Sequence, residues 1–163
     1  MRNVILSAHM SLDGFIAGSN GEMDWTRADA EIDNTMPELL SNADTVLLGR
    51  GLYQGFSSYW PFYPTTDPSK SKGKVKFAKW INQAAKVVFS TTLEKVGWHG
   101  ARLVHVDDNR DIANEVANLK QQPGKNILLY GGVRLAQTLA QLGLVDEYRL
   151  LLQPKVLGPS LPI

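Results

Sequence analysis

Short apolar runs alternate with stretches of helical periodicity along the chain, and this alternation predicts its secondary structure. Residues 3–9 form an apolar run that stops at the turn-forming residues 11–14, which predicts a buried strand. A helical period of 3.6 residues follows at Ile32, Met36, Leu39 and Leu40. The same reasoning predicts further strands at 45–48, 86–89, 103–106, 126–130 and 147–152, and further helices around 53–60, 77–81, 112–119 and 135–142.

Strands and helices that follow one another in this way are typical of an α/β fold. We therefore predict a three-layer α/β/α sandwich, with a mostly parallel sheet covered by helices on both faces. Residues 61–73 contain three prolines and a Ser-Lys-Ser-Lys-Gly run, which indicates a solvated loop within one domain rather than a linker. The prediction is a single domain over residues 1–163.

Composition narrows the classes of function. With no cysteine, the chain has neither a disulfide scaffold nor a thiol nucleophile, and its three histidines lack the spacing of a metal site. The formal net charge of +1, from 17 basic and 16 acidic residues, gives no electrostatic footprint for nucleic acid. No apolar run is long enough to span a bilayer or to serve as a signal peptide. We expect a cytoplasmic protein that binds neither nucleic acid, nor a membrane, nor a metal.

Small and hydroxyl residues follow three of the predicted strands. They are Gly49, Arg50 and Gly51 after the second strand, Ser90, Thr91 and Thr92 after the third, and Gly131 and Gly132 after the fifth. Ligands of open α/β sheets bind outside the carboxyl ends of the strands, where helix N-termini present free N–H groups to anions. All three groups could line one cleft.

Each of these groups also has a simpler interpretation. Gly131-Gly132 is either the seat of a pyrophosphate on the helix that follows or a tight turn, since it forms neither a GxGxxG nor a Walker pattern. Arg50 either pairs with a phosphate through its planar guanidinium or is a surface charge. The hydroxyls of residues 90–92 either contact a phosphate or cap a turn.

Carboxylates and tryptophans supply the remaining candidates. Asp24, Asp29, Glu31 and Asp33 lie at the entry to the first helix, where acidic residues either stabilise the helix N-terminus or include a proton donor. Trp25 and Trp60 lie near loops and either stack on a planar ligand or pack their own segments.

The sequence resembles the reductase domain of riboflavin biosynthesis, the C-terminal half of the bifunctional deaminase-reductase, which has the dihydrofolate reductase fold. The resemblance covers nearly the whole chain. It is carried by the motifs Ser11-Leu12-Asp13-Gly14-Phe15-Ile16-Ala17, Leu48-Gly49-Arg50 with Tyr53, Val88-Phe89-Ser90-Thr91-Thr92-Leu93, Tyr130-Gly131-Gly132, and Gly143-Leu144-Val145-Asp146-Glu147 leading to Pro154-Lys155-Val156-Leu157-Gly158.

This resemblance implies a mostly parallel mixed sheet and an NADPH-dependent reductase. It assigns the adenosine phosphate end of the cofactor to Gly49, Arg50, Gly51, Ser90, Thr91 and Thr92. It implies that the pyrophosphate lies at Gly131, Gly132, Val133 and Arg134, and that the nicotinamide lies between Ala8 and Ile16. It also implies a homodimer, because the reductase domains of this family pair.

The chain departs from the family in three places. Leu52 stands where dihydrofolate reductases carry a phosphate-binding threonine. The proton-donating carboxylate of the first helix has no secure counterpart, which leaves Asp13, Asp24, Asp29 and Asp33 as weak candidates. Relatives also continue into a final antiparallel strand after the Leu-Gly turn, so we expect a chain without its closing strand and with an unpaired edge at residues 148–152.

The leading hypothesis is hydride transfer from NADPH to a small heterocycle bound between Asp13, Trp25 and Trp60. Reduction of a ribosylaminopyrimidine, as by 5-amino-6-(5-phosphoribosylamino)uracil reductase, is the first expectation. A dihydrofolate reductase-like activity is the alternative within the enzyme class, and a dinucleotide-binding protein without turnover is the alternative outside it.

Overall fold

The apolar runs of the sequence form the strands of one main sheet. The structure is a computed structural model that describes residues 1–27, 30–130 and 132–162, with only the backbone of residues 30–34 and 161. Its strands are β1 (Val4–Met10), β2 (Phe15–Ala17), β3 (Ala43–Gly49), β4 (Ala85–Ser90), β5 (Ala101–His105), β6 (Asn126–Tyr130), β7 (Glu147–Leu152) and β8 (Leu161–Pro162). Its α-helices are α1 (Ala30–Ser41), α2 (Arg50–Tyr59), α3 (Lys72–Gln83), α4 (Asn109–Gln121) and α5 (Val133–Gln141).

The main sheet has the strand order β5-β4-β3-β6-β1-β7, and every pair of neighbours in it is parallel. Antiparallel pairing among the described residues is confined to β2 and β8, which form a separate two-stranded sheet. The predicted α/β class with a mostly parallel sheet is confirmed. Because parallel strands all run the same way, their carboxyl ends lie along a single edge.

Helices cover both faces of this sheet, which explains why its central strands are apolar throughout. On β1, Val4, Leu6 and Ala8 belong to a buried cluster with α4 and α5. Ile5 points to the other face and belongs to a cluster with α1, α2 and α3. A strand buried on both faces loses the polar-apolar alternation of a surface strand, so the short apolar runs were a sound guide to its position.

Two features differ from the prediction. The loop predicted at 61–73 is shorter, because a 3₁₀ turn occupies Trp60–Phe62 and α3 begins at Lys72, where the Ser71 hydroxyl accepts a hydrogen bond from the Lys74 N–H. The β2–β8 pair was not predicted. Its strands have three and two residues, too few to show a periodic pattern, and they pair Phe15 with Pro162 across the length of the chain.

Strand β7 forms one border of the main sheet. In the described part of the chain it pairs only with β1, and its Tyr148 and Leu152 side chains are 47% and 61% exposed. The absence of a closing strand and the homodimer remain predictions. None of the described helices is long and apolar enough to cross a membrane.

Lys86, near the start of β4, is a charged residue that is buried in the structure. Its side chain is fully buried, and its Nζ donates hydrogen bonds to the carbonyls of Ala84 (2.8 Å) and His99 (3.0 Å). Nζ also lies 4.5 Å from the centre of the Trp98 ring. Burial lowers the pKa of Lys86 to about 8, since the charged form is poorly solvated there.

We therefore expect an alkaline increase in stability that depends on Lys86. Between pH 8 and 10.5 the unfolded chain holds a proton on this side chain that the folded chain releases, so the free energy of unfolding should rise with pH. Urea unfolding at several pH values, on the wild type and on Lys86→Met, would measure this. A difference between the two proteins that does not change over this interval would contradict it.

Candidate active site

The topology predicts a crevice at the carboxyl edge of the sheet, between β3 and β6. These strands are neighbours, but the helices that follow them cover opposite faces: α2 packs with α1 and α3, and α5 packs with α4. The chain therefore leaves the two strands in opposite directions. In open α/β sheets this switch point is where ligands bind.

The N-terminus of α2 forms one wall of the crevice. Its N-cap, Gly49, is extended and has no side-chain cap, and the first turn of α2 carries no acidic residue. A Cβ atom on Gly49 would lie 3.9 Å from the Cβ of Leu135 in α5. The first turns of the two helices are thus close neighbours.

The N-terminus of α5 forms the other wall. Gly132 caps it in the left-handed conformation, with φ +78°, again without a side-chain cap, and the first turn of α5 also lacks an acidic residue. A side chain at Gly132 would meet no atom within 4 Å, so the backbone conformation and not crowding favours glycine here. Val133 packs on the apolar cluster and Arg134 is exposed, whereas Gly131 lies outside the described residues.

The structure brings Arg50 together with the loop after β4. The Arg50 Nη1 donates a 2.9 Å hydrogen bond to the Thr92 hydroxyl, and Arg50, Thr91 and Thr92 are exposed. Ser90 is buried, and its hydroxyl accepts hydrogen bonds from the backbone N–H groups of Thr92 and Leu93. Ser90 therefore shapes the turn that presents the two threonines.

Positive charge at this edge is not neutralised by carboxylates. Neither Arg50 nor Arg134 forms a salt bridge with an acidic side chain in the described part of the chain. Each helix N-terminus adds a partial positive charge through its free N–H groups. Leu52 replaces the phosphate-binding threonine of dihydrofolate reductases, and its side chain packs against the apolar cluster under α2. The crevice is thus suited to an extended anion with more than one phosphate.

Ala8 and Ile16 lie together on the α5 side of the sheet. Both are buried, at 8% and 3% exposure, in the apolar cluster that also contains Leu135. Ala8 is near the carboxyl end of β1 and Ile16 is in β2. The two residues predicted to flank a nicotinamide therefore share one apolar wall next to α5.

The structure shows what surrounds Trp60, one of the three predicted substrate residues. Trp60 follows α2, and its carbonyl accepts a hydrogen bond from Asn82 at the end of α3, just before β4 begins. The Trp60 ring packs on Phe77 with centroids 4.7 Å apart, and the Phe77 ring packs in turn on Tyr130 at the end of β6. A substrate site formed by Trp60, Trp25 and Asp13 stays a prediction.

Trp25 has a packing role. Its side chain is 6% exposed, and its Nε1 donates a 3.0 Å hydrogen bond to the carbonyl of Glu22. A ring covered in this way offers little face to a planar ligand. The simpler interpretation, that the tryptophans pack their own segments, is the one that fits both Trp25 and Trp60.

Asp13 ties the C-terminal segment to the turn after β1. Its carboxylate accepts hydrogen bonds from the Ser11 hydroxyl (2.6 Å) and from the backbone N–H groups of Leu157 (3.1 Å) and Gly158 (2.9 Å). The Ser11 hydroxyl, aided by these N–H groups, lowers the pKa of Asp13. These hydrogen bonds occupy the carboxylate in holding two backbone segments together, and a role of Asp13 as a proton donor stays a prediction.

Of the other candidate acids, only Asp24 has a side chain within the described residues. Asp24 is exposed and forms no hydrogen bond or salt bridge with the described residues. Asp29, and the side chain of Asp33, lie outside the described residues. No group of three or more histidine, aspartate or glutamate side chains in the described ranges is placed to hold a metal ion.

One polar residue at this edge had no assigned role. His9 follows Ala8 in β1 and is half-buried, and its Nδ1 lies 3.1 Å from the Nε2 of Gln153. Burial lowers the pKa of His9. Its position next to Ala8, a predicted cofactor residue, is the one feature of the sequence that could have indicated a role for His9. Its partner Gln153 is 144 residues away in the sequence, so no local pattern could have predicted their contact.

Comparison with known proteins places the chain in a family. Residues 2–162 match the RibD C-terminal domain. The chain belongs to the RibD C-terminal domain family. It is 39% identical to the uncharacterized protein YyaP of Bacillus subtilis (strain 168) over 162 residues, which are 99% of this chain and 80% of YyaP.

Solved structures show the same fold in other RibD-type and dihydrofolate reductase proteins. A diaminohydroxyphosphoribosylaminopyrimidine deaminase/5-amino-6-(5-phosphoribosylamino)uracil reductase from Thermotoga maritima has a TM-score of 0.65 at 17% identity, over 99% of this chain and 47% of that one. Dihydrofolate reductase from Enterococcus faecalis, complexed with NADP(H) and RAB-propyl, has a TM-score of 0.57 at 14% identity, over 99% of this chain and 77% of that one. The resemblance to the riboflavin reductase family, with its dihydrofolate reductase-like fold, is confirmed.

Removal of the Asp13 carboxylate should loosen the C-terminal segment selectively. In Asp13→Ala the amides of Leu157 and Gly158 lose their acceptor, so we expect their hydrogen exchange to accelerate roughly tenfold. Asp24→Ala is the matched control, because it removes an exposed carboxylate from a nearby loop. Equal exchange at residues 157 and 158 in all three proteins would contradict the role assigned to Asp13.

Proposed function

We propose that this member of the RibD C-terminal domain family is an NADPH-dependent reductase that transfers a hydride to a small heterocyclic substrate. The observation that carries the proposal is the pair of uncapped helix N-termini, α2 and α5, that meet at the switch point between β3 and β6. Free N–H groups of two helices, beside two arginines that form no salt bridge with the described residues, favour a dinucleotide over a single phosphate.

The residues present fit the phosphates of this cofactor. At α5 the left-handed Gly132, with open space where a Cβ would be, lets a pyrophosphate approach the backbone N–H groups. Arg134 adds a full positive charge beside them. On the α2 side, Arg50 and Thr92 already contact each other and present the remaining guanidinium donors and a hydroxyl. This second position suits a 2′-phosphate, the group that distinguishes NADPH from NADH.

The apolar wall of Ala8 and Ile16 suits the nicotinamide end. When bound, NADPH supplies a hydride. The chain itself contributes a dry surface at Ala8 and Ile16, and helix N-termini that hold the phosphates at a fixed distance from it. Catalysis on this scheme depends on placing donor and acceptor next to each other while excluding water.

The substrate is expected to be a pyrimidine-like or pterin-like ring. The reductase name of the Thermotoga maritima relative supports a ribosylaminopyrimidine, and the dihydrofolate reductase neighbour makes dihydrofolate the alternative. A dinucleotide-binding protein without turnover is favoured by one observation, the engagement of Asp13 in structural hydrogen bonds, since it occupies one of the candidate proton donors.

A titration followed by turnover assays separates these functions. We expect NADPH to bind and to be oxidised when a ribosylaminopyrimidine, or dihydrofolate, is added. Binding without oxidation by pyrimidines, pterins and quinones would favour the dinucleotide-binding protein, and absence of NADPH binding would overturn the proposal.

Arg50 should set the preference for NADPH. In Arg50→Ala we expect the Kd for NADPH to rise about 10- to 100-fold, the range of lost charge-assisted hydrogen bonds, and the Kd for NADH to change about threefold or less. Arg102→Ala is the control, because Arg102 lies at the amino end of β5 and pairs with Glu115. Equal losses for the two cofactors in Arg50→Ala would contradict the assignment.

Arg134 should act on the pyrophosphate that both cofactors share. Arg134→Asp places a negative charge in the first turn of α5, so we expect NADPH and NADH to be weakened by the same factor, about tenfold or more. The melting temperature should not fall, because an acidic residue stabilises a helix N-terminus. Loss of NADPH binding alone would show that the assignments of Arg50 and Arg134 are reversed.

A further inference from the structure

We propose that His9 is a substrate-binding residue that donates a hydrogen bond from its Nε2–H to an acceptor atom of the bound heterocycle. In this arrangement Gln153 fixes the neutral ring in a single tautomer. The inference rests on the proposed function for the identity of the ligand. It names the chemistry of the substrate: a ring nitrogen or carbonyl oxygen next to the carbon that receives the hydride.

The orientation of the Gln153 amide follows from its partners. Its Oε1 accepts a 2.9 Å hydrogen bond from the backbone N–H of Arg27, which can only donate. The amide nitrogen must therefore be the atom that faces His9. Gln153 is 3% exposed, and its own N–H donates to the carbonyl of Met10 at 2.8 Å, so neither its backbone nor its side chain is free to turn.

This orientation fixes the tautomer of His9. The Gln153 Nε2–H₂ group is a donor, so the His9 Nδ1 must accept, and the proton of the neutral ring lies on Nε2. Protonation of Nδ1 would place two donors against each other. Burial acts in the same direction by disfavouring the charged ring. The charged side chains on this face of β7, Arg149 and Glu147, are paired with each other.

His9 lies near the carboxyl end of β1, on the edge of the sheet that carries the candidate site. Successive residues of a strand point to opposite faces, so Ala8 faces α5 and the predicted nicotinamide, while His9 faces the side covered by α1. Both lie at the carboxyl end of β1. The Nε2 atom has no hydrogen-bond partner in the ranges that the structure describes. By contrast, His105 lies at the end of the border strand β5 and pairs with Asp107.

The same hydrogen bonds determine what His9 does not do. If Nε2 gave up its proton, the ring would become an anion, because Gln153 has no proton to give to Nδ1. His9 therefore binds and polarises the acceptor atom without transferring a proton. In the reduction of a C=N bond, the hydride goes to carbon and the proton that nitrogen gains comes from water.

The tautomer can be tested without cofactor or substrate. In ¹⁵N-labelled protein near neutral pH, His9 should give the NMR pattern of a neutral ring with its proton on Nε2. In Gln153→Glu the amide donor becomes a carboxylate, which still accepts from Arg27 but favours a proton on Nδ1. We expect the His9 pattern to change in this variant while that of His105 stays the same. A charged ring, or an Nδ1–H ring, in the wild type would overturn the inference.

The contact between His9 and the substrate is tested by comparing the KM for the heterocycle with the Kd of NADPH in variants of His9. With the heterocycle that supports NADPH oxidation, His9→Ala should raise KM about tenfold and leave the Kd of NADPH within about twofold. His9→Gln should recover part of the loss, because its amide can accept from Gln153 and donate to the substrate. Melting temperatures of both variants show that they are folded.

Different results would overturn the NADPH-dependent function and the role of His9. Absence of NADPH binding to the wild type overturns the proposed function, whatever the tautomer of His9. If NADPH binds and the wild type turns over, an unchanged KM in His9→Ala overturns the role of His9 alone. If NADPH binds but no pyrimidine or pterin shifts the His9 Nε2–H resonance, the inference about His9 is likewise overturned.

Discussion

This structure depends on one constraint. After two neighbouring parallel strands, the chain turns to opposite faces of the sheet. The strands β3 and β6 lie side by side, yet both faces of a parallel sheet have to be covered by helices. After β3 the chain turns to the face of α1 and α3, and after β6 it turns to the face of α4. The two turns therefore diverge at the points where the N-termini of α2 and α5 begin.

The electrostatics of the crevice follow from this geometry. The first N–H groups of a helix have no partner within the helix. In α2 and α5, no side chain of the N-cap residue accepts a hydrogen bond from them. The helix α4 shows the contrast, because its Asp108 and Asp111 form a capping box. In a protein with a formal net charge of +1, the local arrangement of Arg50 and Arg134 therefore determines the attraction for an anion.

Long-range hydrogen bonds complete the edge next to the crevice. Asp13 holds the backbone of Leu157 and Gly158, and Gln153 joins the segment after β7 to His9 and Arg27. These contacts connect the two ends of the sequence at the carboxyl end of β1. They give a structural role to the carboxylate that sequence reasoning treated as a candidate acid.

The sequence by itself determined the order of elements. The strands at 126–130 and 147–152 have the predicted bounds, since an apolar run buried on both faces is a local signal that needs no knowledge of its partner. The same holds for the glycines and hydroxyls at the strand ends. The sequence could not place Trp60 or find the β2–β8 pair.

Tertiary structure alone decided which strand ends meet. The neighbours β3 and β6 are far apart in the chain, and the contact between Arg50 and Thr92 spans 42 residues. It also decided that the ring of Trp60 packs on Phe77, and that the amide of Gln153 orients the ring of His9. The physical reason is that periodicity reports which face of an element is buried, whereas the site is formed by contacts between elements whose spacing in the sequence carries no information about their distance in space.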